Sequence, residues 1–356
     1  MSAQLLPESK RWTAAIAAPP AGAPVLTATT IVIPLAPTGI AGHRLTDGEL
    51  IWNSELTAER SLTADADRVY VASGEAIHAL DGVTGIVAWR APVGGPVTSP
   101  PLAHGGWVIA ATAGDVLAIR AADGAVQWKR SVGPVDDFRP AIDGDLLVVP
   151  VADGRIIALT LSNGEVRWEC DLGSPPTEPF VIDGRVYVGT QGKQFIVLHA
   201  SNGRTEYRWA VGALLRGRAA VDERHVYFAA YDNTVWALDR GNGAQRWRKA
   251  LVYRPAAGPV LVRGVVIVPG YVASLPGFNP RTGDAAGQIA FADRLASLPV
   301  FVTRQDEPPV AIGITGNLEN KWAIWTLEPS PLPSLAIDPI TALPGETLPA
   351  PSIVSR

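Results

Sequence analysis

The sequence holds one cysteine, Cys170, and five lysines among its 356 residues. A single cysteine excludes an intramolecular disulfide and any multi-thiolate metal cluster. The redox compartment stays open, because many exported proteins also lack disulfides. Cys170 stands between Glu169 and Asp171, an acidic setting expected to raise its pKa and keep it inert. No apolar run reaches the roughly 18 residues that a membrane-spanning helix needs. The opening "MSAQLLPESKRW" lacks the basic head and apolar stretch of a signal peptide. That leaves a cytoplasmic protein or a chain whose export signal was removed. With 30 basic and 34 acidic residues and a net charge of −4, there is no cationic field for a nucleic-acid backbone. Phosphate-loop, H-E-x-x-H and G-x-S-x-G motifs are absent. The five histidines, His43, His78, His104, His199 and His225, show no ligand spacing and read as strand or turn residues.

What is present is a phrase said many times. "HALDGVTGIVAWR", "AIRAADGAVQWKR", "ALTLSNGEVRWEC" and "ALDRGNGAQRWRK" share a turn glycine and a following tryptophan. The glycines are Gly48, Gly85, Gly124, Gly164, Gly203, Gly243 and Gly283. They recur at a nearly constant step of roughly 40 residues, within the range of repeat architectures. Four residues after each of the first six stands Trp52, Trp89, Trp128, Trp168, Tyr207 or Trp247, whereas Gly287 holds the seventh place. Within a repeat, short β-branched runs such as "WVIAAT" and "DVLAIR" alternate with Gly-Gly and Asp-Gly turns. Such dipeptides suit two-residue hairpins, and helical periodicity is nearly absent. Four antiparallel strands per roughly 40 residues is the pattern of a propeller blade.

The glycines mark seven blades, and an eighth set of strands lies between Ala296 and Glu328 without an outer strand. The N-terminal "KRWTAAIA", Lys10 to Ala17, can supply it, because Trp12 precedes Trp52 by one full repeat. The sequence therefore predicts an all-β, eight-bladed β-propeller over residues 1–328, with residues 10–17 closing the last blade; seven blades are the alternative. Closure removes open sheet edges. Residues 329–356 contain seven prolines, as expected of an extended strap or tail. Without an aromatic after Gly283, the seventh blade is expected to be the most irregular and the loosest.

At this point the chain resembles a known family. Ala79, Asp81, Thr84, Gly85 and Trp89 match, position by position, the tryptophan-docking repeat A-x-D-x-x-T-G-x-x-x-W of PQQ-like propellers. Ala237, Asp239, Gly243 and Trp247 match it again. The resemblance implies that Trp12, Trp52, Trp89, Trp128, Trp168, Tyr207 and Trp247 dock against neighbouring blades. Two branches follow from it. Quinoprotein dehydrogenases hold pyrroloquinoline quinone and calcium over the channel, whereas BamB-type proteins are non-enzymatic scaffolds of outer-membrane protein assembly. The dehydrogenases are longer, and many use a disulfide of adjacent cysteines, which this chain cannot form. Asp136, Asp137 and Glu178 are the candidate calcium ligands, but they make no compact ligand run. The expectation is a monomeric, cofactor-free scaffold with protein partners, in the periplasm or cell envelope if the family is followed. Quinone binding with calcium is the alternative.

The loops entering the inner strands carry Arg139, Glu178, Arg216, Arg218 and Arg254. Arginine anchors interfaces and clamps carboxylates. These five residues are the candidate interaction face, suited to an acidic peptide, a peptide terminus or a small anion.

Overall fold

The computed structural model describes residues 8–135, 139–304, 307–317, 319 and 321–329. Asp136, Asp137 and residues 330–356 of the proline-rich segment lie outside them. Every regular element among the described residues is a β-strand, and no helix is long and apolar enough to cross a membrane.

Eight four-stranded antiparallel sheets form the ring. Blades 1 to 7 cover residues 25–54, 63–92, 102–131, 141–171, 180–210, 215–250 and 260–290. Blade 8 takes three strands from 300–329 and its outer strand from Glu8–Ile16. Each blade runs from an inner strand a, beside the central channel, to an outer strand d. Strand Glu8–Ile16 pairs with Trp322–Pro329 in the register Trp12↔Thr326, matching Trp128↔Ala118 in blade 3. The eight-bladed count and the N-terminal closure are therefore observed, and the seven-bladed alternative is not.

Strands b and c are buried along nearly their whole length in most blades, as in Leu146–Pro150 and Thr234–Asp239. The apolar clusters span neighbouring blades; one joins Ile109 and Val116 of blade 3 to Leu147 and Ile157 of blade 4. Side chains alternate across a strand, so each blade buries one face against the blade before it and the other against the blade after. No blade has a core of its own.

The turns sort by position. Those joining a to b in blades 5 and 7 are two-residue turns with both residues at positive φ, Asp183-Gly184 at 49° and 74° and Arg263-Gly264 at 49° and 73°. The turns joining c to d are longer than the expected two-residue hairpin. In blade 2 the Asp81 amide donates to the Ile86 carbonyl and that of Gly85 to the Asp81 carbonyl, both at 2.8 Å. Four residues thus lie between the pair, and only Gly85, at φ 71°, needs the left-handed region. The Asp81 carboxylate accepts from the Val83 and Thr84 amides and the Thr84 hydroxyl, at 3.1, 2.8 and 2.9 Å. That local cap explains the D-x-x-T-G spelling.

The a–b and c–d turns share one face, here the turn face. The loops from d to the next a, with the b–c turns, form the entry face. Blade 7 is irregular as expected, its b strand shortened to Val265–Ile267. It is nevertheless tightly packed, with Val265, Val266, Ile267 and Leu275 fully buried.

Candidate functional site

The aromatic after each turn glycine reaches the following blade. The indole N–H groups of Trp12, Trp52, Trp89, Trp128, Trp168 and Trp247 donate to the carbonyls of Leu45, Gly82, Ala121, Leu161, Ala200 and Pro280, at 3.2, 3.1, 2.9, 2.7, 2.7 and 2.8 Å. Each acceptor lies three residues before the next turn glycine. The ring covers that glycine: a Cβ placed on Gly164 falls 2.7 Å from Trp128, and one on Gly48 falls 2.4 Å from Trp12. Glycine is needed there for close approach as well as for φ. Tyr207 takes the same place over Gly243, but its buried hydroxyl has no hydrogen-bond partner.

This geometry explains Gly287. The aromatic of one blade docks on the c–d turn of the next, and blade 8 has no such turn because its outer strand comes from the N-terminus. An aromatic in blade 7 would have nothing to cover.

On the entry face the five candidate residues divide into two groups. Arg139, Glu178 and Arg218 line the central channel. Two overlapping cavities of about 520 and 580 Å³ fill it, sharing Arg139, Phe180, Arg218 and Pro259. Arg139 reaches across to the Leu62 carbonyl of blade 2 at 3.4 Å. Arg218 owes its position to an irregular strand. Strand Leu215–Val221 pairs Arg216↔Ala229 and next Ala220↔Tyr227, so three of its residues oppose one. Gly217 within the bulge has φ 66°, and a Cβ on Gly258 of blade 7 would fall 1.9 Å from the Arg218 carbonyl oxygen. The bulge turns Arg218 inward over the Phe180 ring, at 5.5 Å.

Arg216 and Arg254 point elsewhere. Both stack on Tyr231, in the b–c turn of blade 6, with guanidinium carbons 5.7 and 4.4 Å from the ring centre. Arg216 Nε also donates to the Ala256 carbonyl at 2.8 Å. Neither guanidinium has a carboxylate partner among the described residues. Around this stack lie Leu214, 38% exposed, Tyr271, 48% exposed, and Val252, 98% exposed. The Tyr231 amide donates to the Leu214 carbonyl, and Arg294 Nε to that of Tyr271. Arginine and tyrosine together are the composition of interface hot spots, and the exposed aliphatic side chains beside them add apolar surface. Tyr231, Tyr271 and Val252 leave no signal in the sequence, because nothing in "YDN", "YVA" or "LVY" departs from ordinary turn composition.

The remaining candidates are scattered. His43 is buried, with Nδ1 3.0 Å from the Gly48 carbonyl, and burial lowers its pKa. His78 is lowered by burial and, to a smaller degree, by Arg90. His104 lines the channel, His199 ends strand c of blade 5, and His225 lies 3.6 Å from Asp222. Burial, more than its acidic neighbours, pushes the Cys170 thiol up; Arg208 opposes the shift and Asp171 adds to it. Among the described residues, no three His, Cys, Asp or Glu side chains converge as a metal would require.

A family model described as "Outer membrane protein assembly factor BamB" matches residues 38–181 and 171–313. The chain is 26% identical over 254 residues to the outer membrane protein assembly factor BamB of Yersinia pestis, covering 62% of this chain and 64% of that protein. It thus spans somewhat less than two thirds of that relative. Among solved structures, BamB from Moraxella catarrhalis superposes with a TM-score of 0.69 at 17% identity, over 90% of this chain and 99% of that one. Quinohemoprotein alcohol dehydrogenase from Comamonas testosteroni gives 0.69 at 13% identity, over 90% and 76%. At such identities the structural likenesses show the fold alone. The family match spans well over half of the sequence, and the chain belongs to the family described as outer membrane protein assembly factor BamB.

Proposed function

We propose that this protein is a non-catalytic scaffold in bacterial outer-membrane protein assembly, acting as a monomer in the cell envelope. It holds a protein partner through the entry-face patch of blades 6 and 7. The observation that carries the reading is the Arg216–Tyr231–Arg254 stack. Two guanidiniums without carboxylate partners among the described residues flank a tyrosine beside exposed Leu214, Val252 and Tyr271. A partner segment with a carboxylate next to an apolar anchor suits this chemistry. Stacking holds both forks in place before contact, so less side-chain entropy is lost on binding.

The test is site-specific photo-cross-linking in the native host, with benzoylphenylalanine at Tyr231. The expected product joins the chain to a component of the outer-membrane assembly machinery. The same probe at Gln245, on the outer strand of blade 6, should give no such product. Equal labelling from both positions would overturn the assignment.

The alternative, a quinone with calcium in the channel, finds weaker support. The polar described residues that share this cavity with Glu178 are Arg139, Arg218, His104 and Ser61, and the rest of the lining is Phe180, prolines and small or aliphatic residues. They offer cations and apolar surface, not the ring of oxygen donors that calcium takes. A lining with Arg218 over Phe180 suits a small carboxylate better than a metal–quinone pair. Titration with pyrroloquinoline quinone, with and without calcium, separates the two through tryptophan quenching.

A further inference from the structure

Blade 6 departs from its neighbours at the inner strand. Leu215–Val221 has seven residues, where the inner strands of blades 1 to 5 and 7 have two or three. The bulge within it rests on two glycines of different blades. A Cβ on Gly217 would fall 2.4 Å from the Gly258 amide nitrogen, and Gly217 holds φ 66°, a backbone state that suits glycine above other residues. The docking of the aromatics requires none of this. Bulges of this kind re-aim a side chain beside a functional site, and the side chain re-aimed here is Arg218. It is exposed, its guanidinium lies 5.5 Å from the centre of the Phe180 ring, and it has no carboxylate partner among the described residues.

The same cavity holds a carboxylate. Glu178 lines it together with Arg218, yet Glu178 has no ion-pair partner among the described residues. Its backbone is fixed from both sides: the Thr177 amide donates to the Gly189 carbonyl at 2.8 Å, Pro176 bridges Thr190, and Pro179 follows. Two opposite charges that share one space without pairing leave a donor and an acceptor for a third group. The overlapping cavity, which shares Arg218 and Phe180, adds an apolar wall of Val25, Val221, Leu261 and Phe301. Arg139 also lines both cavities and donates to the Leu62 carbonyl at 3.4 Å. Volumes of about 520 and 580 Å³ fall within the roughly 300–1,000 Å³ of small-ligand sites. A ligand that suits this lining brings a carboxylate for the Arg218 fork, an N–H or ammonium for Glu178, and an apolar group for the wall. An apolar α-amino acid, free or at the C-terminus of a peptide, carries all three on one carbon.

We propose that the channel binds the α-carboxylate end of an apolar residue, with Arg218 on the carboxylate, Glu178 on the nitrogen and the side chain against the apolar wall. The site shares no side chain with the Arg216–Tyr231–Arg254 stack, so it stands or falls apart from the partner patch. The test is calorimetric titration of the full chain with free leucine and with acetyl-alanyl-leucine, each beside its amide. One-to-one binding of leucine alone identifies a free amino acid as the ligand, and binding of acetyl-alanyl-leucine identifies a chain terminus. In either case the amide should bind at least about tenfold more weakly, the loss expected for a charge-assisted hydrogen bond. Arg218→Gln should lose the same factor at an unchanged urea midpoint, whereas Arg216→Gln, whose side chain lies outside the channel, should bind as the parent does. Glu178→Gln, on a different blade, should also weaken binding, and more for the ammonium of leucine than for the acetylated nitrogen. No binding of either carboxylate up to about 1 mM, equal binding of acid and amide, or affinity unchanged in both Arg218→Gln and Glu178→Gln would overturn the assignment.

Discussion

Tyr207 offers the sharpest test of the docking geometry. Six of the seven docking aromatics are tryptophans whose N–H reaches a carbonyl three residues before the next turn glycine. Tyr207 covers Gly243 with no partner for its buried hydroxyl. The equivalent acceptor in blade 6 is the Arg240 carbonyl. Burial raises the Tyr207 pKa above its ordinary value, so the group stays neutral and the cost is that of an unmade hydrogen bond, about 1 to 3 kcal/mol. Tyr207→Phe removes the hydroxyl and should stabilise the protein by about 1 kcal/mol. Tyr207→Trp removes the same penalty, adds an N–H aimed at Arg240 and buries more apolar surface between blades 5 and 6. It should gain about 1 kcal/mol more. Urea unfolding of the two variants beside the parent gives the comparison, at unchanged m-value. If Tyr207→Trp is less stable than Tyr207→Phe, the blade 5–6 contact does not share the geometry of the other six. If Tyr207→Phe loses stability, the hydroxyl is satisfied and the reasoning fails.

Two further predictions follow from the same packing. Trp128→Ala should cost about 3 to 5 kcal/mol, and Trp128→Phe, which keeps the ring over Gly164 but loses the bond to Leu161, about 1 kcal/mol; urea midpoints check both. His43 is held below its ordinary pKa by burial. The unfolded chain therefore binds a proton that the folded one refuses, and stability falls as the pH drops through about 6.5, the unfolded His value. In His43→Gln the urea midpoint should change less between pH 7 and pH 5 than in the parent, and an equal change would contradict the assignment.

The blade pattern was legible because blades 1 to 6 repeat the same local chemistry. An Asp or Asn caps the c–d turn, a glycine takes the left-handed position, and an aromatic follows four residues later. Trp12 revealed the N-terminal closure because docking fixes its phase. The missing aromatic at Gly287 reads as looseness in the sequence, since only the assembled ring shows that blade 8 lacks the turn it would cover. The candidate face was half legible. The loops bearing arginine were identifiable, but Arg216 and Arg218, two apart, should share one side of a regular strand. The bulge at Gly217 separates them, one over Tyr231 and the other over Phe180. That separation depends on the approach of Gly258 from the next blade, a full repeat further along the chain, and no local pattern encodes it. Tyr231 and Tyr271 likewise become one patch only when blades 6 and 7 stand side by side.

The most direct test of the scaffold account is complementation in the native host. A strain lacking this gene would receive either the parent protein or the double variant Arg216→Glu and Arg254→Glu. The abundance of outer-membrane β-barrel proteins is then measured, with the level of the scaffold itself as control. The account predicts that the variant accumulates normally yet leaves β-barrel abundance at the level of the deletion strain. Full restoration by the variant would contradict it and move the functional surface away from the Arg216–Tyr231–Arg254 stack.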